Sequence, residues 1–316
     1  MEADNTSSVQ PSIFILRGIP GLEAYYTWIA LSFCFMYITA LLGNGTLLLF
    51  IKLDPTLHQP MYFFLGMLSL IDFVLSSTIM PKMLSILWFE FTEIYFEACI
   101  TQMLFIHTFA ALESTVLLAM AFDRYVAICN PLRYYAIFTN SVVIKIGLAS
   151  FIRCVLATTP LTYLLKRLSY CNSNIIHHSF CEHMAVAKLA CGDITLNSLY
   201  GMIVALLIVV VDVILILITY LLILRAVFLL SSRDDRFKAI NTCGSHICAI
   251  LVFYIPGILS TVIHRFGKNA PLHIHILMVT CHHMAPTMVN PIVYGVKTKQ
   301  IRDSFVKQFQ RLQWDT

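Results

Sequence analysis

Seven stretches of this chain are each long and apolar enough to cross a bilayer, which takes about 20 consecutive apolar residues. They run at roughly 28–51, 60–87, 97–122, 142–165, 198–224, 239–263 and 272–295. Nothing else in the sequence constrains the fold so tightly, because backbone in hydrocarbon must satisfy its own hydrogen bonds as helices or a closed barrel. The runs are too long and too uniformly apolar for alternating barrel strands. The expected fold is therefore all-α, a seven-transmembrane helix bundle. Composition agrees: the chain is 59% hydrophobic and only 12% charged, against about 25% charged in soluble domains. A net charge of +4 is mild and gives no reason to expect nucleic acid.

Three regions follow: an extracellular N-terminus at 1–27, the helical domain at 28–296, and a cytoplasmic amphipathic helix and tail at 297–316. In that last helix Ile301, Phe305 and Phe309 share one face, suited to lying along the inner leaflet. With the C-terminus inside, thirteen Lys and Arg are cytoplasmic and seven are external, with Arg153 inside a span. That excess sets the orientation by the positive-inside rule. Residues 1–27 carry no signal-peptide apolar core, so span one is expected to act as an uncleaved insertion signal. Asn5-Thr6-Ser7 is a glycosylation sequon on the external end.

Cys99, Cys171, Cys181 and Cys191 all fall on the outer, oxidising side. Four cysteines allow three pairings. The favoured set is Cys99–Cys181 with Cys171–Cys191 closing a small ring around the middle cysteine. It would lay the long loop at about 166–197 across the bundle mouth as a lid.

Span three ends in Met120-Ala-Phe-Asp-Arg-Tyr-Val-Ala-Ile-Cys129, and span seven in Pro286-Thr-Met-Val-Asn-Pro-Ile-Val-Tyr294. The Asp123-Arg124-Tyr125 triplet and the Asn290-Pro291-Ile292-Val293-Tyr294 run resemble the two signatures of rhodopsin-like G-protein-coupled receptors. Gly43 and Asn44 in span one, Asp72 in span two, and a span-three cysteine followed by an outer-loop cysteine fit the same pattern. Leu57-His-Gln-Pro-Met-Tyr-Phe-Phe-Leu65 and Lys238-Ala-Ile-Asn-Thr-Cys-Gly-Ser-His-Ile-Cys248 look like odorant receptors. Phe14-Ile-Leu-Arg-Gly-Ile-Pro-Gly-Leu-Glu23 and His264-Arg265-Phe266-Gly267 are similar to their class I branch. The chain departs from the broader pattern in lacking Trp in span four and Pro in span five. Phe253-Tyr254-Ile255-Pro256 stands where a Trp-Pro toggle is usual in span six.

The resemblance implies a multi-pass plasma-membrane receptor of olfactory cilia, with an odorant ligand and a stimulatory heterotrimeric G protein. It implies coupling roles for Asp123, Arg124, Tyr125, Tyr220, Tyr254, Asn290, Pro291 and Tyr294. Read physically, Asp123 and Arg124 at a membrane boundary are either a snorkelling pair or a switch that frees Arg124 for a partner. Asn44, Asp72 and Asn290 at similar depth form a polar core. Either water or a sodium ion near Asp72 would satisfy it; no other cofactor, and no bound metal site, is expected.

Charges inside the bilayer are costly and normally partnered. Glu113 lies about 15 Å deeper than Asp123, and Arg153 about 18 Å from the same membrane face, at 1.5 Å per residue. A Glu113–Arg153 pair is expected, as an interhelical clamp rather than a signalling element. His107 lies about 25 Å above Arg124, and Glu182 and His183 follow Cys181 directly. The disulfide would bring them over span three, with a His107–Glu182 contact.

Arg265 closes span six at its outer end, with Thr261 and Ile258 roughly on the same face below it. Ala110, Ala111, Leu206, Gly257 and Ile258 are the expected apolar lining. A guanidinium above an apolar pocket can hold a carboxylate bidentately, and class I odorant receptors are associated with aliphatic carboxylic acids. The ligand expected is thus a small fatty acid, its head on Arg265. Binding would draw in the outer end of span six, with Pro256 and Gly257 absorbing the bend. The alternative is a receptor for neutral volatiles in which Arg265 is only an interfacial anchor. A small-solute transporter is a weaker rival, since no two matching halves are present. An enzyme is not expected, because no buried catalytic or zinc-ligand array is evident.

Overall fold

The computed structural model describes residues 10–170, 173–229, 232–266 and 271–314, without the side chains at 235, 238, 242, 261, 262, 264–266, 309 and 311–314. Its bundle comprises α1 (Tyr26–Leu53), α2 (Pro60–Phe89), α3 (Phe96–Cys129) and α4 (Asn140–Lys166). Then come α5 (Thr195–Leu229), α6 (Arg233–Phe266) and α7 (Leu272–Lys297). A final helix, α8 (Lys299–Trp314), follows α7 after one residue. By length and composition, α1 to α5 and the Ala239–Ser260 part of α6 are each able to cross a membrane. The seventh, α7, is less apolar because it carries His273, His275, His282 and His283. It nonetheless packs against α1, α2 and α6 within the bundle.

Local chemistry sets the ends. Pro60 opens α2, where a missing N–H costs nothing. Thr139 caps α4 by accepting from the Val142 N–H. Asp54 Oδ1 accepts from the Thr56 N–H at 3.0 Å in the turn after α1. Burial is inverted relative to a soluble protein. Asn44, Asp72, Glu113, Asp212 and Asn290 are buried, while Trp28, Phe35, Leu156 and Leu217 face outward. Lipid is the outer solvent, so the polar groups gather where other helices can satisfy them.

The outer cap holds structure the apolar pattern did not foretell. Ile13–Leu16 forms β1, paired antiparallel with β2 (Glu93–Tyr95) and parallel with β3 (Ile175–Ile176). Phe14 and Leu16 are fully buried beneath the cap, and Phe14 meets Phe96 and Tyr170. At Gly18 φ is +69°, and a Cβ there would meet the Tyr26 hydroxyl at 2.9 Å. This turn therefore requires glycine.

Candidate functional site: a tethered outer loop, a buried polar relay and an inner arginine

Cys99 and Cys181 are disulfide-bonded, tethering the long outer loop to the start of α3. Gln102, one turn further along α3, reinforces the tether. Its Oε1 accepts from the Cys181 N–H at 3.0 Å, and its Nε2 donates to the Thr78 carbonyl of α2 at 3.0 Å. Cys191 is also disulfide-bonded, but the expected Cys171–Cys191 ring involves Cys171, outside the described residues, as does the Asn5 sequon. Beyond the tether, Glu182 caps a short helix, His183–Ala187, by accepting from the Ala185 N–H at 2.7 Å.

That cap corrects one expectation. His107 faces His183, with ring centroids 6.2 Å apart, rather than Glu182. The carboxylate is taken up by the helix end, where amide N–H groups point at it. His183 and His178 are buried in the loop, and burial lowers their pKa values to about 4 and about 3; His275 and His283 add to the lowering at His178. The Nε2 atoms of His107 and His183 have no hydrogen-bond partner among the described residues.

Ala110 and Ala111 lie half-buried on α3 below His107. Gly257 lets α6 approach α7 so closely that a Cβ would come within 2.8 Å of the His282 ring. Two expected pocket residues point elsewhere. Leu206 is 51% and Ile258 56% exposed on the bundle's outer surface. The inward stripe of α5 runs through Ile208, Asp212 and Ile216, and that of α6 through Phe253 and Ser260. Two residues from either stripe is about 200° around a helix, which turns Leu206 and Ile258 outward. The side chains of Arg265 and Thr261 lie outside the described residues.

The expected Glu113–Arg153 pair does not form. Arg153 Nη1 instead meets Asp212 Oδ1 at 3.4 Å, and its Nη2 donates to the Leu207 carbonyl at 3.4 Å. Leu207 lies in a π-helical turn, Leu206–Val210, that interrupts α5. Such turns free carbonyls and are common at functional positions. The other Asp212 oxygen accepts from Ser114 at 3.0 Å and Thr115 at 3.2 Å, and Ser114 bonds the Tyr254 hydroxyl at 2.9 Å. Depth was judged correctly and rotation was not: adjacent residues on α3 point about 100° apart. Ser114 therefore faces α5, whereas Glu113 looks toward Asp72 and Asn290. Asp212 was the missed signal, a carboxylate inside the apolar run Val209-Val-Val-Asp-Val-Ile214.

Below this relay, Asn290 Nδ2 donates to Asp72 Oδ2 at 3.0 Å. Asn44 Nδ2 donates to the Thr287 carbonyl at 2.8 Å and the Ala40 carbonyl at 3.0 Å. Gly43 lets Pro291 approach so closely that a Cβ would be 2.8 Å from the ring. Glu113 reaches toward the Asn290 side chain, while Asp72 Oδ1 and the side-chain oxygens of Asn44 and Asn290 are buried without a hydrogen-bond partner among the described residues.

At the inner end, Arg124 Nε lies 3.7 Å from Asp123 Oδ2, and Tyr134 donates to Asp123 Oδ1 at 2.6 Å. Tyr220 bonds His246 Nδ1 at 2.7 Å, tying α5 to α6. Ile223, Val227 and Cys243 pack together with Tyr125 against them. Arg124 and Tyr294 are buried. The arginine is thus buried beside its neighbouring carboxylate at the inner end of the bundle.

A seven-helix bundle with a tethered outer loop, a polar core and a covered arginine at its inner end is a G-protein-coupled receptor, not an enzyme. A sequence profile of olfactory receptors matches residues 33–311. The chain is 53% identical to human olfactory receptor 52K1 over 311 residues, 98% of this chain and 99% of that protein. It is also 53% identical to human olfactory receptor 52K2 over the same span, and 51% identical to human olfactory receptor 52B2 over 309 residues. The chain belongs to the olfactory receptor family, and with it come an odorant ligand, a G protein and a multi-pass place in the plasma membrane.

Proposed function

We propose that this odorant receptor detects small aliphatic carboxylic acids and signals through a stimulatory G protein. The acid enters beneath the tethered loop, its tail against Ala110, Ala111 and Gly257 and its carboxylate on Arg265, with Thr261 a turn below. The reading is carried by the Nε2 atoms of His107 and His183, which lie under the loop without a hydrogen-bond partner among the described residues. Agonism requires tighter binding to the active state than to the resting one. Asp72 Oδ1 and the Asn44 and Asn290 oxygens, left without partners among the described residues, suit a sodium ion, whose hard charge favours oxygen ligands, or water.

A second reading, a receptor for neutral volatiles, rests on Ile258. It lies seven residues before Arg265, nearly the same face of a regular helix, and is exposed. Arg265 would then anchor α6 at the headgroups. Cyclic-AMP responses to straight-chain acids and matched alcohols and esters separate the two. The acid reading expects acids alone to activate, and Arg265→Ala to abolish the response with surface expression intact. Equal potency of neutral analogues, or an unchanged acid curve in the variant, refutes it.

A further inference from the structure

A cleft of about 600 Å³ opens on the membrane-facing side of the bundle's inner half, between α1, α7 and α8. Its walls include Leu42, Gly43, Phe50, Gly295 and Phe305, with Arg302 at its cytoplasmic end. The volume is within the range of small-molecule sites. From Leu42 to Phe50 it follows α1 for about 12 Å at 1.5 Å per residue. Glycine shapes it: a Cβ on Gly295 would meet nothing within 4 Å, so the missing side chain is open space rather than a packing requirement. Leu42 and Phe305 are exposed along its edge although both are large and apolar, while Phe305 rests edge-on against Phe50 at 5.8 Å.

We propose that this cleft binds an anionic inner-leaflet phospholipid, with an acyl chain along the α1–α7 trough and the headgroup phosphate on Arg302. Charge complementarity selects the occupant. Arg302 is exposed at the foot of an otherwise apolar trough, and Lys299 sits one turn earlier on α8. Basic pockets on the cytoplasmic side of transmembrane helices match phospholipid headgroups, and the inner leaflet supplies the anions. A sterol hydroxyl offers nothing for these cations. A second copy docked by two-fold symmetry would bring the same cations face to face, because such an interface is self-complementary.

Native mass spectrometry of the full-length receptor, released from membranes of mixed composition, tests the assignment. The probes are phosphatidylserine, phosphatidylcholine with the same chains, and cholesterol. Wild type is expected to retain phosphatidylserine preferentially. Arg302→Gln, an exposed change that leaves the fold alone, should weaken that preference about fivefold. Gly295→Leu, which fills the trough, should abolish retention of either phospholipid. Equal retention of phosphatidylcholine, displacement by cholesterol, a dimer in place of bound lipid, or retention unchanged in both variants would each overturn the proposal.

Discussion

The guanidinium of Arg153 meets the carboxylate of Asp212 at 3.4 Å, joining α4 to α5 at the π-helical turn of α5. The contact belongs to a longer chain. Asp212 accepts from Ser114 and Thr115 of α3, and Ser114 bonds Tyr254 of α6. Four helices thus share one polar relay, which meets α6 two residues before Pro256. Tyr254 enters it through its hydroxyl, so its position is tied to Asp212 by hydrogen bonds as well as by packing.

Removing the cation should cost more than neutralising the anion. Arg153→Met leaves the buried Asp212 carboxyl without its cation. Because the guanidinium is 42% exposed, the loss is expected at about 2 kcal/mol, between the values for exposed and fully buried pairs. Asp212→Asn keeps the Ser114 bond and frees an arginine that still reaches the Leu207 carbonyl, so it should cost less. Thermal stability of the purified receptor gives the order, and a reversed order refutes the pairing.

Tyr254→Phe deletes one hydroxyl from the relay and little else. A neutral hydrogen bond contributes about 1 kcal/mol. If that bond belongs to the resting state, basal cyclic-AMP signalling should rise up to about fivefold with surface expression unchanged. Ser114→Ala should behave alike, and the double variant should add nothing beyond either single one.

Two glycines of α6 should respond oppositely to alanine. Gly257→Ala drives a methyl into the His282 ring, where 2.8 Å is too close, and should cost about 1–3 kcal/mol through overpacking. A Cβ on Gly244 meets nothing within 4 Å. Gly244→Ala should therefore stabilise by up to about 1 kcal/mol through helix propensity. Melting temperatures of the two variants check the contrast.

The outer cap should weaken in acid. Burial lowers the pKa of His178 to about 3 and of His183 to about 4, from 6.5 in the open chain. Above pH 6.5 neither state takes up a proton and the groups have no pH effect. Below it the unfolded loop binds protons that the folded loop refuses until pH 4 and then 3, so stability falls as pH drops through that window. Melting curves between pH 7 and 4 should show the slope, and His178→Gln should flatten it.

Phe14 shows where sequence reading stopped. Its run Ile13–Leu16 is only four residues long, yet it supplies the central strand of the cap. Its strand partners lie some 80 and 160 residues away in sequence. No local pattern announces pairing at that distance. The disulfide tether was easier to expect, because cysteine chemistry and compartment narrow the choices before any geometry is known.

The sequence alone determined the helical bundle and the family, because both rest on properties that add along the chain: apolar length and motifs in order. Tertiary structure decided which way each residue turns. A helix that is apolar all round carries no stripe to mark its inner face, so Leu206 and Ile258 look like pocket residues until packing turns them outward. The same rotation gave Arg153 to Asp212 instead of Glu113, since depth can be counted along a helix but azimuth is fixed only by its neighbours.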